Sequence, residues 1–182
     1  MSAPSISVQL SIHPPRFTPG SQPPPSLSIT ATSHATQPIT IFTWPEIFNL
    51  ALAQRRKNFT CLNLTTNTAI RLETTKGPKR TAFSQASGGR DDKAFVTLEP
   101  EIPVTFTDSF KLGIAQGERC RVEPGHRYRF GVNEGEEIWW WQYGRKEDVM
   151  KSPDSAGMDE PSGLPIALDN VAPVEFEVEG SE

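Results

Sequence analysis

Short runs in which every second residue is apolar, each closed by proline or a turn cluster, constrain this chain more than any other feature. Ser5 to Ile12 alternates strictly, with Ile6, Val8, Leu10 and Ile12 on one side. A period of two fits a half-buried strand and does not fit a helix. Val174-Glu-Phe-Glu-Val178 repeats the pattern near the other end, with its glutamates outward. Between these runs lie Leu27-Ser-Ile-Thr-Ala31, Ile39 to Trp44, Ala94 to Leu98 and Val104 to Phe106. Phe59–Leu64 and Ala69–Glu73 flank the turn Thr65-Thr-Asn-Thr68 and read as a hairpin. Glu46 to Ala53 fits either one helical turn or an irregular edge segment. Eight to ten short strands with turn signals between them predict an all-β chain, a sandwich or a barrel.

At 182 residues the expectation is one domain spanning 1–182. Its long loops are expected at 13–26, 75–93 and 152–165, with an acidic tail at 179–182. A hydrophobic content of 36% with 17 prolines predicts a modest core carrying long connections. A net charge of −4 argues against nucleic acid as a partner. That total hides an asymmetry. Residues 46–80 hold seven Lys/Arg against two acids, and residues 147–182 hold one Lys against ten acids. No apolar run is long enough to span a membrane, and the start Met-Ser-Ala-Pro has no signal-peptide pattern. The expected location is therefore cytoplasmic or nuclear, not secreted. Cys61 and Cys120 are then reduced, and the sequons at Asn58 and Asn63 silent.

The stretch Val122 to Tyr143 holds three of the four tryptophans and both tyrosines. Asn133-Glu-Gly135 suits a three-residue hairpin loop with glycine in the left-handed position. That register pairs Phe130 with Ile138 and Tyr128 with Trp140 as core. It places Arg127 and Arg129 beside Trp141 and Trp139 on the opposite face. A two-residue loop would reverse every side chain and turn Glu137 inward.

Val122-Glu-Pro-Gly-His-Arg-Tyr128-Arg-Phe-Gly-Val132 resembles the entry to a late strand in immunoglobulin-like and fibronectin-III-like sandwiches. There a Pro-Gly turn precedes a tyrosine whose ring is buried and whose hydroxyl bonds upstream backbone. The resemblance implies an immunoglobulin-like antiparallel sandwich of about 7–10 strands. The Cys–Trp–Cys pattern of antibody domains is missing. Ile39-Thr-Ile-Phe-Thr-Trp-Pro-Glu-Ile-Phe-Asn49, with Gly125 to Phe130 and Trp139 to Gly144, also resembles a family of intracellular proteins of filamentous fungi. That resemblance brings no activity and no residue roles.

Signals for chemistry are sparse. The two cysteines and His13, His34 and His126 lack metal-ligand spacing, so neither metal nor cofactor is expected. Ser87-Gly-Gly-Arg90 offers backbone donors and a cation for phosphate, but no Walker lysine. Asp91-Asp92 and Glu136-Glu137 read as solvated pairs. No Gly-x-Ser-x-Gly elbow is present, which leaves a triad assembled from distant residues open. The leading expectation is a non-enzymatic module that binds a protein partner through Arg127, Arg129, Trp139, Trp141 and His126, because Arg and Trp dominate interface hot spots. The loop 75–93 would be a second, mobile contact. The competing structural expectation is that residues 152–165 or the proline-rich N-terminal loop cover those tryptophans. The alternative function is an aromatic cleft for a small molecule or carbohydrate, with catalysis through His126.

Overall fold

A computed structural model describes residues 3–74, 80, 82–112 and 122–180. The described residues form thirteen strands, two single-turn α-helices and one 3-10 turn (Asp92–Ala94), so the chain is all-β. In chain order the first strands are β1 (Ile6–His13), β2 (Arg16–Phe17), β3 (Ser26–Ser33) and β4 (Ile39–Phe42). Helix α1 (Leu50–Ala53) follows, then β5 (Phe59–Asn63), β6 (Thr68–Ile70), β7 (Phe95–Leu98) and β8 (Val104–Ser109). The second half holds β9 (Arg127–Val132), β10 (Glu137–Ile138), β11 (Trp141–Tyr143), α2 (Lys146–Val149), β12 (Ile166–Ala167) and β13 (Val174–Val178).

These strands make one sheet in the order β1-β3-β8, one in the order β2-β13-β9-β5-β6 and a third in the order β11-β4-β7, with a short β10-β12 ladder. The alternating sequences behave as period two requires. Ile6, Leu10 and Ile12 of β1 and Leu27, Ile29 and Ala31 of β3 enter one core with Phe59, Cys61, Phe130 and Phe176. Phe17, Phe110, Phe130, Tyr128 and Phe176 meet there through ring contacts of 5.1–6.1 Å between neighbours, worth about 1 kcal/mol per pair beyond area burial. Strand β4 is buried on both sides. Ile39 and Ile41 join the main core, while Phe42 points the other way into a second cluster with Phe95 and Trp140.

Phe59–Asn63 and Thr68–Ile70 form the expected hairpin, with Asn67 at a left-handed φ of 56° in its turn. Glu46 to Ala53 resolves into bends followed by the single turn α1. Cys120 lies outside the described residues. Cys61 is buried, and burial pushes its thiol up to about 12, leaving it protonated. Asn63 is buried as well, its carbonyl accepting the Thr65 and Thr66 amides, so its side chain is committed to the turn. Among the described residues no helix is long and apolar enough to cross a membrane.

The aromatic hairpin is where the structure departs from the sequence reading. Gly135 does take a left-handed φ of 81°. The strands on either side of it, however, do not pair with each other. Strand β9 has β5 on one edge and β13 on the other, so Phe130 faces Cys61 and Val174, and Tyr128 faces Asn63 and Phe176. No edge of β9 is left for the segment after Gly135. That segment crosses over instead, pairing Ile138 with Ile166 and Trp141 with Ile41. Ladder pairing is interrupted at Trp139 and Trp140, between β10 and β11, which lets Trp140 and Trp141 both be buried although they are neighbours.

Candidate functional site

Arginine and tryptophan do come together in this protein, at a different place from the one the sequence suggested. The end of β4 delivers Trp44 to the surface beside the second aromatic cluster, because Phe42 two residues earlier points inward to that cluster. Phe42, Phe83 and Trp139 contact one another at 5.1–5.9 Å between ring centroids, and Trp44 meets Phe83 edge-on at 6.4 Å. Trp139 Nε1–H donates to the Trp44 carbonyl at 3.2 Å and ties the two segments.

Two guanidinium groups sit over Trp44. The Arg56 carbon Cζ lies 5.2 Å from the ring centroid, and that of Arg80 lies 5.8 Å from it and 4.7 Å from Phe83. Contacts of this kind contribute about 0.5–2 kcal/mol each. Arg80 is fixed by Asp91, its Nη2–H donating to Oδ1 at 2.6 Å, with Arg90 Nε 3.4 Å from the same oxygen. Burial pushes the Asp91 carboxyl up, but hydrogen bonds from Arg80, the Ser84 amide and Arg90 outweigh it and hold the group below its ordinary value. The Asp91-Asp92 pair is therefore not solvated as the sequence suggested. Asp91 is 4% exposed, and the Asp92 carboxylate takes Lys146 Nζ and the Gly88 amide, each at 2.7 Å. The cradle at Ser87-Gly-Gly-Arg90 is thus filled by the chain's own carboxylate.

A cleft of about 380 Å³ opens here, lined among others by Trp44, Arg55, Arg80, Arg90, Asp91 and Lys93. Its described lining holds four cations and one carboxylate. Arg55, Arg90 and Lys93 are exposed at its rim. Two buried donors are unused among the described residues, Trp44 Nε1 and Arg56 Nε. An unpaired buried donor costs about 1–3 kcal/mol until an acceptor reaches it. The cleft offers positive charge beside an indole, a combination that recognises an anionic group. Two residues after Trp44, Glu46, 5% exposed, accepts the Trp139 amide at 3.4 Å. Burial first, then the neighbouring Glu136 and Glu137, push its carboxyl up to about 8 against the opposing amide bond.

The residues singled out from sequence do not share a face. Arg127 and Arg129 lie exposed on β9, where both donate to Glu175 of β13, at 2.7 and 3.1 Å. Hydrogen bonds from those two arginines hold the Glu175 carboxyl below its ordinary value. Trp141 is 1% exposed, in the main core, and Trp139 is half-buried in the second cluster. The competing expectation of a covering loop is met at Trp141, while Trp139 packs instead against Phe42 and Phe83 and donates to the Trp44 carbonyl. Trp140 Nε1–H donates to the Asp159 carbonyl, Trp141 Nε1–H to the Leu164 carbonyl, and Ser162 N–H to the Trp141 carbonyl, each at 2.9 Å. Gly163 permits this approach, since a Cβ there would lie 3.0 Å from Trp141 Cζ2. His126 is half-buried at the start of β9, its Nδ1 facing the Asn63 amide at 2.9 Å and Glu123 at 3.1 Å. No histidine is among the residues lining the cleft. The described part of 75–93 is pinned, with Gln85 exchanging backbone bonds with Gly157 and Lys151 at 3.0 and 2.9 Å. Among the described residues no cluster of His, Cys, Asp and Glu suits a metal.

In the sequence Trp44 marks only the end of a strand, and Arg55 and Arg56 belong to no motif. The excess of cations over residues 46–80 was the available signal. Compared with models of protein families and with curated proteins, the chain matches none.

Proposed function

We propose that this protein is a binding module whose site is the basic, aromatic cleft beside Trp44, and that its partner is an acidic peptide segment. The observation that carries this reading is a lining that holds Arg55, Arg80, Arg90 and Lys93 with one buried carboxylate, beside a Trp44 indole N–H that has no acceptor among the described residues. A carboxylate side chain gains from those cations and brings an oxygen acceptor to the Trp44 side of the cleft. We read the cleft as binding and not transforming, because among the described residues its lining has no hydroxyl or thiol beside a base. The fold reading is an immunoglobulin-like sandwich. Its support is the Glu123 amide donating to the Tyr128 hydroxyl at 2.7 Å, the upstream contact of a tyrosine corner. An intracellular site of action fits the buried free thiol of Cys61 and the committed side chain of Asn63.

The test is fluorescence anisotropy with a fluorescein-labelled Glu-rich peptide. Arg55→Glu combined with Lys93→Glu should weaken binding at least about tenfold, since each reversal removes an attraction and adds a repulsion. Binding should also weaken as salt rises. Equal affinity in wild type and the double variant would remove the cleft as the site.

A further inference from the structure

On the outer face of the β1-β3-β8 sheet, three residues far apart in sequence meet through side chains. Ser7 Oγ contacts His34 Nε2, and His34 Nδ1 lies 2.9 and 3.0 Å from the two carboxylate oxygens of Glu101. We propose that Ser7, His34 and Glu101 form a nucleophilic triad that cleaves short-chain carboxylic esters, at a site sharing no residue with the Trp44 cleft.

The order of atoms is the first support. A carboxylate only accepts hydrogen bonds, so Glu101 selects the tautomer with the proton on Nδ1. Nε2 is then left as a lone pair facing the Ser7 hydroxyl, which is the relation that activates a serine. The second support is that backbone bonds hold the three segments in place. His34 N–H donates to the Ser5 carbonyl at 2.9 Å, and Glu101 N–H to the Ser33 carbonyl at 2.8 Å. Glu101 itself is held at a left-handed φ of 59°, a conformation costing a non-glycine residue about 1–2 kcal/mol and found disproportionately at functional sites.

The third support is a donor for the developing oxyanion. Ser5 and His34 form a hydrogen-bonded pair, so in this ladder Ser7 pairs with Thr32 in the same manner. The amides of Ile6 and Val8 must then point away from β3, and neither has a hydrogen bond among the described residues. Val8 N–H is the amide after the nucleophile, the position that supplies one oxyanion donor in other serine hydrolases. The surrounding face carries Gln9, Thr32, Ser28 and Thr30 with no cation, and the site is open. It fits a small ester of an uncharged alcohol.

The chemistry balances with water as the only co-reactant. Ser7 Oγ forms a bond to the ester carbonyl carbon and passes its proton to His34 Nε2. The ester C–O bond then breaks and the leaving alkoxide takes that proton. Water attacks the acyl-serine, its proton going to His34 and then to Ser7 Oγ as the acid departs. Glu101 is a positioning residue.

The test uses the full chain with a fluorophosphonate probe, which forms an Oγ–P bond and expels fluoride, and with p-nitrophenyl acetate. Peptide mapping should find the probe on Ser7, and Ser7→Ala should abolish both labelling and hydrolysis. His34→Ala should slow labelling about 100-fold. Glu101→Gln should lower kcat at unchanged KM. The proposal is overturned by an unlabelled wild-type chain, by labelling only at other residues, by equal labelling of His34→Ala, or by hydrolysis that survives Ser7→Ala. The side chains of His34 and Glu101 are 38% and 66% exposed and Ser7 is exposed, so these variants leave the core intact.

Discussion

Replacing Glu46 by glutamine should stabilise this protein, and increasingly so as the pH rises. The Glu46 carboxyl has an ordinary value of 4.5 and is pushed up to about 8 by burial and by Glu136 and Glu137. Below pH 4.5 folded and unfolded chains both hold the proton, and no penalty exists. Between the two values the unfolded chain gives up its proton while the folded chain keeps it, so stability falls as pH rises and levels off above about 8. Each pH unit in that window is worth about 1.4 kcal/mol, which gives about 3 kcal/mol at pH 7 and about 5 kcal/mol as the ceiling. Glutamine keeps an oxygen to accept the Trp139 amide and has no titration. Urea denaturation of both proteins at pH 5 and pH 8 measures the effect as a difference between them, which cancels every other titrating group. The gap in unfolding free energy should widen by several kcal/mol from pH 5 to pH 8. A gap that stays constant across that range would refute a neutral, buried Glu46.

Three further outcomes follow from the packing. Trp141→Ala should cost about 3–5 kcal/mol in thermal or urea unfolding, because it empties a core position and releases the Leu164 carbonyl. Tyr128→Phe should cost about 1–2 kcal/mol in urea unfolding, since the Glu123 amide loses its acceptor beside a buried ring. Arg127→Ala with Arg129→Ala should leave both the melting temperature and the affinity for the Glu-rich peptide unchanged, because both side chains are exposed and engage only a surface glutamate. A loss of peptide binding in that last variant would move the site back to β9.

Much of the strand content was legible because alternation is a local signal. Ile6 to Ile12 and Val174 to Val178 need no knowledge of their partners to be read as half-buried strands, and the Phe59–Ile70 hairpin carries its own turn. Burial of Tyr128, Phe130, Ile138 and Trp140 was also readable, since such residues have no other favourable place. Strand pairing was not. Gly135 signals a reversal, but nothing within residues 122–143 says that β5 and β13 occupy both edges of β9 and push the following segment to another sheet. The misplacement of Trp139 and Trp141 follows from that one error, because an assumed ladder imposes alternation where Trp140 and Trp141 are both inside. The two sites that emerge share this difficulty. Trp44 meets Arg56 and Arg80, and Ser7 meets His34 and Glu101, only through tertiary structure, at separations where sequence spacing carries no information.

The four indole N–H groups give the most direct test of the cleft. Trp139, Trp140 and Trp141 each donate to a backbone carbonyl, while Trp44 Nε1 has no acceptor among the described residues. In a proton–nitrogen correlation spectrum titrated with the Glu-rich peptide, the Trp44 indole peak should move downfield as it gains an acceptor, while those of Trp140 and Trp141 stay in place. A titration in which the Trp44 peak does not move, or in which peptide binding shifts only other peaks, would contradict the account.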